Sequence, residues 1–337
     1  MDRDWATAAL ARLREPEPPT PLRCYPLPFD LELYLKDESQ RPSGSLKHGI
    51  VRRLFEDAVA DGRIGPSTTV VEATAGNTAV AAAWFARLLG LPFVAVVPGR
   101  TSPAKRQRIE SYGGRCHPFD PPLAIYAEAS RLAGELGGHY LDHLNAVEHA
   151  EDWRGFGSTG AALVAQVTEA CGSAPAWVVV GAGTGATSAT LGRHLRYHGL
   201  PTRLAVVDPE HSAYFPSWAT GDRGYGTGMP SRIDGIGRPR VEPAFRAEVL
   251  DFVIPVPDAA SLTAMRHLAA ATGIEAGPST GANLWGAFTL AARMIRDGER
   301  GAIATLIADG GYRADAPESP QYAAAIGRFL RDGTTPG

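Results

Sequence analysis

The stretch "LELYLKDESQRPSGSLKHGIVRRLFEDAV", residues 31–59, organises the reading of this 337-residue chain. It runs from an apolar strand-like segment through a Pro-Ser-Gly-Ser turn into an apolar helix, with Lys47 in the first turn. Ser43 or Ser45 can cap that helix, and Gly44 permits an unusual backbone angle or a close approach. A lysine at that place lies near the positive end of the helix dipole, which disfavours a charged ammonium; desolvation acts in the same direction. That is the state a Schiff-base lysine needs. A surface lysine beside a capped helix is the plain alternative, and this motif alone does not separate the two.

Downstream, short apolar runs alternate with helical patterns. "STTVVEAT" (67–74) reads as a strand and "NTAVAAAWFARLLG" (77–90) as a helix closed by Gly90. "LPFVAVVPG" (91–99), "SPAKRQRIESYGG" (102–114) and "LAIYAEASRLAGELGG" (123–138) continue the alternation. It resumes in "PAWVVVGAG" (175–183), "GATSATLGRHLRYHG" (185–199) and "TRLAVVDPE" (202–210), and ends in "GAIATLIADGG" (301–311). Continuous apolar strands alternating with helices predict parallel sheets covered on both faces, here in two series. The weakest element signal is at about 212–245, a Gly-, Pro- and Arg-rich stretch of a length that marks a functional or a disordered loop. The N-terminus reads as a short helix followed by a proline-rich arm.

Three more turns carry possible chemistry. In "EATAGNTAV" (72–80) a strand ends in small residues before a helix. Its backbone amides, with Thr74, Asn77 and Thr78, make an anion-binding edge or else an ordinary capped turn. "VVVGAGTGATSATLGRHL" (178–195) has the form of a phosphate cradle. It also fits a dinucleotide fingerprint through Gly181, Gly183 and Ala186, with Asp208 ending a later strand. In "GPSTGANLWG" (277–286) Ser279 and Thr280 precede a helix, either as caps or as partners for a ring nitrogen.

The bulk numbers narrow the function classes. A net charge of −3 gives no electrostatic case for nucleic acid or a membrane surface. No apolar run reaches the roughly 18 residues that a membrane span needs. Three cysteines, Cys24, Cys116 and Cys171, show no CxxC spacing and fit a reducing, cytoplasmic setting. His143 and His149, and His194 and His198, form no metal set; the latter pair reads as a solvated basic helix end. No G-x-S-x-G elbow is present for a serine triad.

Taken in order, "PSGSLKHG", "TAGNT", "GTGAT" and "GPSTGAN" resemble the lysine, substrate-carboxylate, phosphate and pyridine-nitrogen motifs of the cysteine synthase and cystathionine β-synthase family, the fold type II pyridoxal phosphate (PLP) enzymes. The resemblance spans about residues 25 to 315. "YLKDES", "WRGFG", "SRIDGIGRPRVEP" and "VPDAAS" are similar to the actinobacterial L-cysteine desulfhydrase branch of that family. The resemblance implies a tryptophan synthase β-like α/β fold of two doubly wound domains with the cofactor in the cleft between them. A smaller, mobile domain would run over 42–150, and a larger PLP-binding one over 1–41 and 151–337. Lys47 would hold PLP covalently and shuttle the Cα proton, and Asn77 would contact the ring 3′-oxygen. Thr74, Ala75, Gly76 and Thr78 would line the substrate carboxylate, and Gly183, Thr184, Gly185, Ala186 and Thr187 would cradle the phosphate. Ser279, with Thr280 as the fallback, would face the pyridine nitrogen. Gly235 and Ile236, in a loop ending at Gly237, would border the substrate.

Four departures from the family pattern stand out. Ala75 replaces the usual serine of the carboxylate loop, and Ala186 a usual glycine of the phosphate loop. His143 falls where the family commonly has a glutamine, so it could protonate a leaving group or gate the second substrate. Arg238 and Arg240 either bind a distal acidic group on the substrate or pair with acids such as Glu242. The implied reaction is β-elimination from a small amino acid, foremost L-cysteine, giving pyruvate, ammonia and hydrogen sulfide. β-Replacement in the manner of cysteine synthase is the alternative. A nicotinamide oxidoreductase using "GAGTGA" and a PLP-fold protein that binds a partner without turnover are the remaining rivals. A homodimer without metal, nucleic acid or membrane partners completes the expectation.

Overall fold

Val70–Ala73 and Ala302–Ile307 are continuous buried runs, which only a sheet covered on both faces can satisfy. The computed structural model of the chain places both in parallel sheets, and it describes residues 2–150, 152–155, 157–310 and 318–337. Phe156, residues 311–317 and the side chain of His149 lie outside that description.

The chain opens with α1 (Arg3–Leu13), β1 (Leu22–Tyr25), β2 (Glu32–Asp37), α2 (Lys47–Ala60), β3 (Val70–Ala73), α3 (Asn77–Leu89) and β4 (Phe93–Pro98). It continues through α4 (Pro103–Glu110), β5 (Arg115–Phe119), α5 (Ile125–Glu135), β6 (His139–Tyr140), α6 (His143–Ala150) and α7 (Thr159–Cys171). Next come β7 (Trp177–Gly181), α8 (Ala186–Tyr197), β8 (Arg203–Pro209), α9 (Tyr214–Thr220) and β9 (Phe252–Val256). Then follow α10 (Asp258–Thr272), α11 (Pro278–Asp297), β10 (Ala302–Ile307) and α12 (Pro320–Asp332).

Two units divide these elements: Met1–Pro19 with Arg41–Glu151, and Thr20–Gln40 with Asp152–Gly337. The first contains a four-stranded parallel sheet in the order β5-β4-β3-β6. Val71, Ala73 and Val96 of this sheet pack on Ile125, Ala129 and Ala133 of α5. The second contains a six-stranded sheet in the order β1-β2-β10-β7-β8-β9, antiparallel only between β1 and β2. Trp285, Phe288 and Phe329 of α11 and α12 sit in the core on one face. Leu163 and Val167 of α7 and Leu191 and Leu195 of α8 belong to the core on the other. Helices on both faces of the parallel sheet make the doubly wound arrangement in the second unit, and in the first α3 and α5 both pack on the sheet.

Several details differ from the sequence reading. Residues 1–19 group with the first unit rather than with 20–40, because Ala6, Ala9 and Leu13 form a buried face of α1, which packs on α2 and α3. Neither Ser43 nor Ser45 occupies the N-cap of α2. Leu46 does, without a side-chain cap, while Ser45 Oγ accepts from Lys47 N at a long 3.4 Å. The 212–245 stretch is not structureless: it contains α9 and folds back so that Gly226 bridges Arg240. His194 is buried rather than solvated; its Nδ1 lies 3.2 Å from Trp153 O, and burial pushes its pKa below the ordinary value. The helix closed by Gly90 is as read, with that glycine left-handed at φ +70°.

Candidate active site

Lys47 is the first residue of α2, half-buried, behind a turn in which Gly44 has φ +77°. The residue after it anchors the turn. His48 is fully buried, with Nδ1 3.0 Å from Ser43 Oγ and Nε2 2.7 Å from Glu17 Oε1. Its ring lies against Trp84 and Phe85 of α3. An imidazole engaged at both nitrogens and packed on two aromatics cannot turn, so the helix start carrying Lys47 is held by its neighbour.

In the same unit, β3 runs into Thr74–Thr78 and α3 begins at Asn77. Gly76 takes the N-cap position with no side-chain cap, so the first-turn amides of α3 are not capped by a side chain. Thr74 Oγ1 accepts from Gly76 N at 3.3 Å, which folds the small-residue turn on itself. Asn77 Oδ1 accepts from Arg108 at 3.2 Å, and Thr78 is buried. His143 opens α6, and its Nδ1 is 2.9 Å from Glu72 Oε1. Thus Lys47, the 74–78 turn and His143 all belong to the first unit. Glu72 was not singled out in the sequence, although a lone acid inside "TVVEAT" was the signal available.

In the second unit, β7 ends at Gly181 and α8 starts at Ala186, with Gly185 as its N-cap at φ +89° and no side-chain cap. A Cβ at Gly185 would stand 2.5 Å from Phe245 Cα, so only glycine fits. The carbonyls of the turn are drawn into the protein. Ala182 O accepts from Gly237 N at 2.8 Å, Gly183 O from Tyr214 Oη at 2.5 Å and Gly185 O from Ser188 Oγ at 3.0 Å. Thr184 Oγ1 accepts from Ala186 N at a long 3.3 Å, and oxygens turned inward beside a helix start whose N-cap has no side chain suit an anion. Ala186 carries its methyl in a buried place, so the departure from glycine is tolerated. The Gly237 bond also brings the Gly235–Gly237 loop to this turn, and a Cβ on Gly181 would meet Ile236 at 2.5 Å.

Ser279 and Thr280 begin α11, both buried. Thr280 Oγ1 accepts from Ala308 N at 3.1 Å, so that hydroxyl is committed to the fold and Ser279 is the better candidate for a ligand. Arg238 and Arg240 lie 3.0 and 3.4 Å from Glu242 Oε1, the pairing reading of the two weighed from sequence. Asp208 is buried, and its Oδ2 accepts from Phe215 N at 2.7 Å. Burial pushes its pKa up to about 6. An acid shut in this way cannot hold a ribose, so the dinucleotide reading fails at its second feature. Among the described residues, no group of three or more His, Cys, Asp or Glu side chains gathers as a metal site. No helix there is long and apolar enough to cross a membrane.

The cradle at Gly183–Thr187, with its inward carbonyls and a glycine that no other residue can replace, fits a phosphorylated cofactor. In the first unit, Lys47 at the start of α2 is the candidate amine. Comparison with known proteins identifies the family. The chain is 50% identical to the L-cysteine desulfhydrase Cds1 of Mycobacterium tuberculosis, over 97% of this chain and 92% of that one. It is 30% identical to a cysteine synthase of Aquifex aeolicus, over 86% of this chain and 85% of the other. The crystal structure of O-ureido-L-serine synthase superposes with a TM-score of 0.76 at 26% identity, covering 90% of this chain and 91% of that one. The family model for pyridoxal-phosphate dependent enzymes matches residues 13–309, and the chain belongs to that family.

Proposed function

We propose that this protein eliminates sulfide from L-cysteine, giving pyruvate, ammonia and hydrogen sulfide. The observation that carries the reading is the 50% identity with an L-cysteine desulfhydrase along nearly the whole of both chains. PLP, when bound, supplies the electron sink for the negative charge left at Cα. The chain's residues have the rest of the work. Lys47 holds the cofactor and moves the Cα proton through Nζ. Thr74, Gly76 and Thr78 bind the substrate carboxylate, with Ala75 offering no hydroxyl, and Asn77 contacts the ring 3′-oxygen. The Gly183–Thr187 turn holds the phosphate. Ser279 meets the pyridine nitrogen with a neutral hydroxyl rather than a carboxylate, which tempers charge delocalisation into the ring. Gly235 and Ile236 border the substrate, as does His143.

The second reading is β-replacement, favoured by the relation to a cysteine synthase. Both readings predict a yellow protein. They separate on products: purified protein given L-cysteine alone should form pyruvate and sulfide together. A requirement for a second nucleophile before any turnover would shift the assignment to replacement, and a colourless protein with unmodified Lys47 would refute both. A cytoplasmic homodimer is the assembly we propose. Cys24, Cys116 and Cys171, all free thiols, support the reducing compartment. Sedimentation of the native protein tests the assembly.

A further inference from the structure

Glu72 is fully buried in β3, inside a run of apolar residues. Its carboxylate does three things. Oε1 accepts from Ala73 N at 2.6 Å, Oε2 accepts from His143 N at 3.2 Å, and Oε1 lies 2.9 Å from His143 Nδ1. One buried acid therefore ties the root of the Thr74–Thr78 turn to the residue that opens α6. The backbone before His143 is bent to permit this: Asp142 has φ +47°, a conformation rare outside glycine. Asp142 also anchors the helix start, as its carbonyl accepts from Asn145 N and Ala146 N and its carboxylate from Asn145 Nδ2.

A carboxylate accepts and does not donate, so the proton between the two side chains belongs on Nδ1. In the neutral ring Nε2 is then a lone-pair acceptor. His143 keeps a small exposed fraction, 11% of its side chain, whereas Glu72 has none. An acceptor rooted beside the carboxylate-binding turn suits a donor carried on the substrate's Cβ.

We propose that Glu72 is a positioning residue that fixes His143 as the Nδ1–H tautomer, and that His143 Nε2 accepts the S–H of the substrate thiol. This rests on the cysteine β-elimination proposed above. Its consequence is chemical. When the Cβ–S bond breaks, the bonding pair leaves with sulfur. A sulfur bound as thiol departs as HS⁻, with its own proton still attached; one bound as thiolate would depart as S²⁻ unless an acid protonated it as the bond broke. The Glu72–His143 pair thus selects the thiol form of cysteine, and no extra acid or oxidant enters the balance.

Two measurements on the PLP-loaded full-length protein test the proposal. The first is ¹⁵N NMR of histidine-labelled protein, with His143 assigned by its loss in His143→Gln. The Nδ1–H tautomer is expected for His143, and its signature should weaken in Glu72→Gln. A dominant Nε2–H tautomer in the unaltered protein overturns the proposal whatever the activity. The second compares L-cysteine with β-chloro-L-alanine, whose chloride leaves without a proton. In His143→Gln the ratio of kcat on cysteine to kcat on chloroalanine should fall about tenfold, as the loss of one hydrogen bond to the substrate does. Glu72→Gln should shift the ratio the same way by less. Equal losses on both substrates overturn the proposal and mark the pair as merely structural. Unaltered protein that turns over chloroalanine but not cysteine refutes the cysteine reading, while the tautomer measurement still decides the role of Glu72.

Discussion

Glu17 Oε1 lies 2.7 Å from His48 Nε2, joining the arm after α1 to the residue that follows Lys47. Arg41 and Arg52 flank the same carboxylate, with Glu17 Oε2 3.1 Å from Arg41 and 4.0 Å from Arg52. The sequence separation between Glu17 and His48 is large, so the contact exists only because α1 packs on α2 and α3. The arm is in this sense part of the support of the lysine.

Glu17→Gln should therefore lower stability by about 1–3 kcal/mol, the range for a hydrogen bond to a charged group partly lost. It should also lower kcat, by up to about tenfold if the first turn of α2 shifts. The pH dependence follows from the carboxylate. Burial raises the pKa of Glu17, but the hydrogen bond from His48 and the charges of His48, Arg52 and Arg41 outweigh it, and the net shift is downward. A lowered carboxylate pKa stabilises the fold above the ordinary value, and the gain is lost as pH falls through the folded value. Melting curves of the two proteins should differ at pH 6 and converge in the acid range. A gap that persists unchanged at low pH would show that the ion pair contributes nothing.

Gly185→Ala tests the cradle. The residue has φ +89°, and the added carbon would meet the backbone of Phe245 at 2.5 Å. Backbone cannot give way as a side-chain tip can, so the strain should reach at least about 1–3 kcal/mol. The turn should open before the protein unfolds, because its carbonyls are held from outside by Gly237, Tyr214 and Ser188. PLP titrated into the variant should bind at least about tenfold more weakly, read from the visible absorbance. Normal binding would mean that the Gly183–Thr187 turn is not the phosphate site.

These turns were legible in the sequence because each is a local event. An apolar strand ends, small residues follow and a helix starts, all within about a dozen positions. Lys47, Asn77, Gly185 and Ser279 each fall at such a helix start, where the sequence reading put them. What escaped is what depends on distant partners. β1 is a four-residue strand with one buried side chain, and its identity comes from pairing with β2. His194 looked like part of a basic helix end, yet the backbone at Trp153 covers it. Glu72 was hidden in an apolar run because its role depends on His143, which comes 71 positions later.

Asp208 gives a stability prediction of the opposite sign to Glu17. Burial raises its pKa to about 6, so the folded protein favours the protonated acid. The stabilising contribution is full below the unfolded carboxylate pKa and is lost as pH rises through about 6. From pH 4 to pH 7 the loss amounts to at most about 3 kcal/mol. Asp208→Asn removes the titration and retains an oxygen for Phe215 N. Its melting temperature should fall less than that of the unaltered protein over this interval. Parallel profiles for the two proteins would show that Asp208 stays ionised when folded.

Ser279 and Thr280 are neighbours with separable duties. Thr280 Oγ1 accepts from Ala308 N just past β10, in a fully buried place. Thr280→Val keeps the shape and removes the acceptor, leaving a buried N–H without its partner at a cost of about 1–3 kcal/mol. It should show mainly as a lower melting temperature. Ser279→Ala removes a hydroxyl from the first turn of the same helix and should leave the melting temperature within about 1 kcal/mol of the original. If Ser279 meets the pyridine nitrogen, this variant should instead move the visible absorbance maximum and lower kcat on L-cysteine by about tenfold or more, as loss of a positioned polar contact does. The pair of variants thus sorts one hydroxyl to the fold and the other to the cofactor. A spectrum unchanged in Ser279→Ala but moved in Thr280→Val would reverse the assignment.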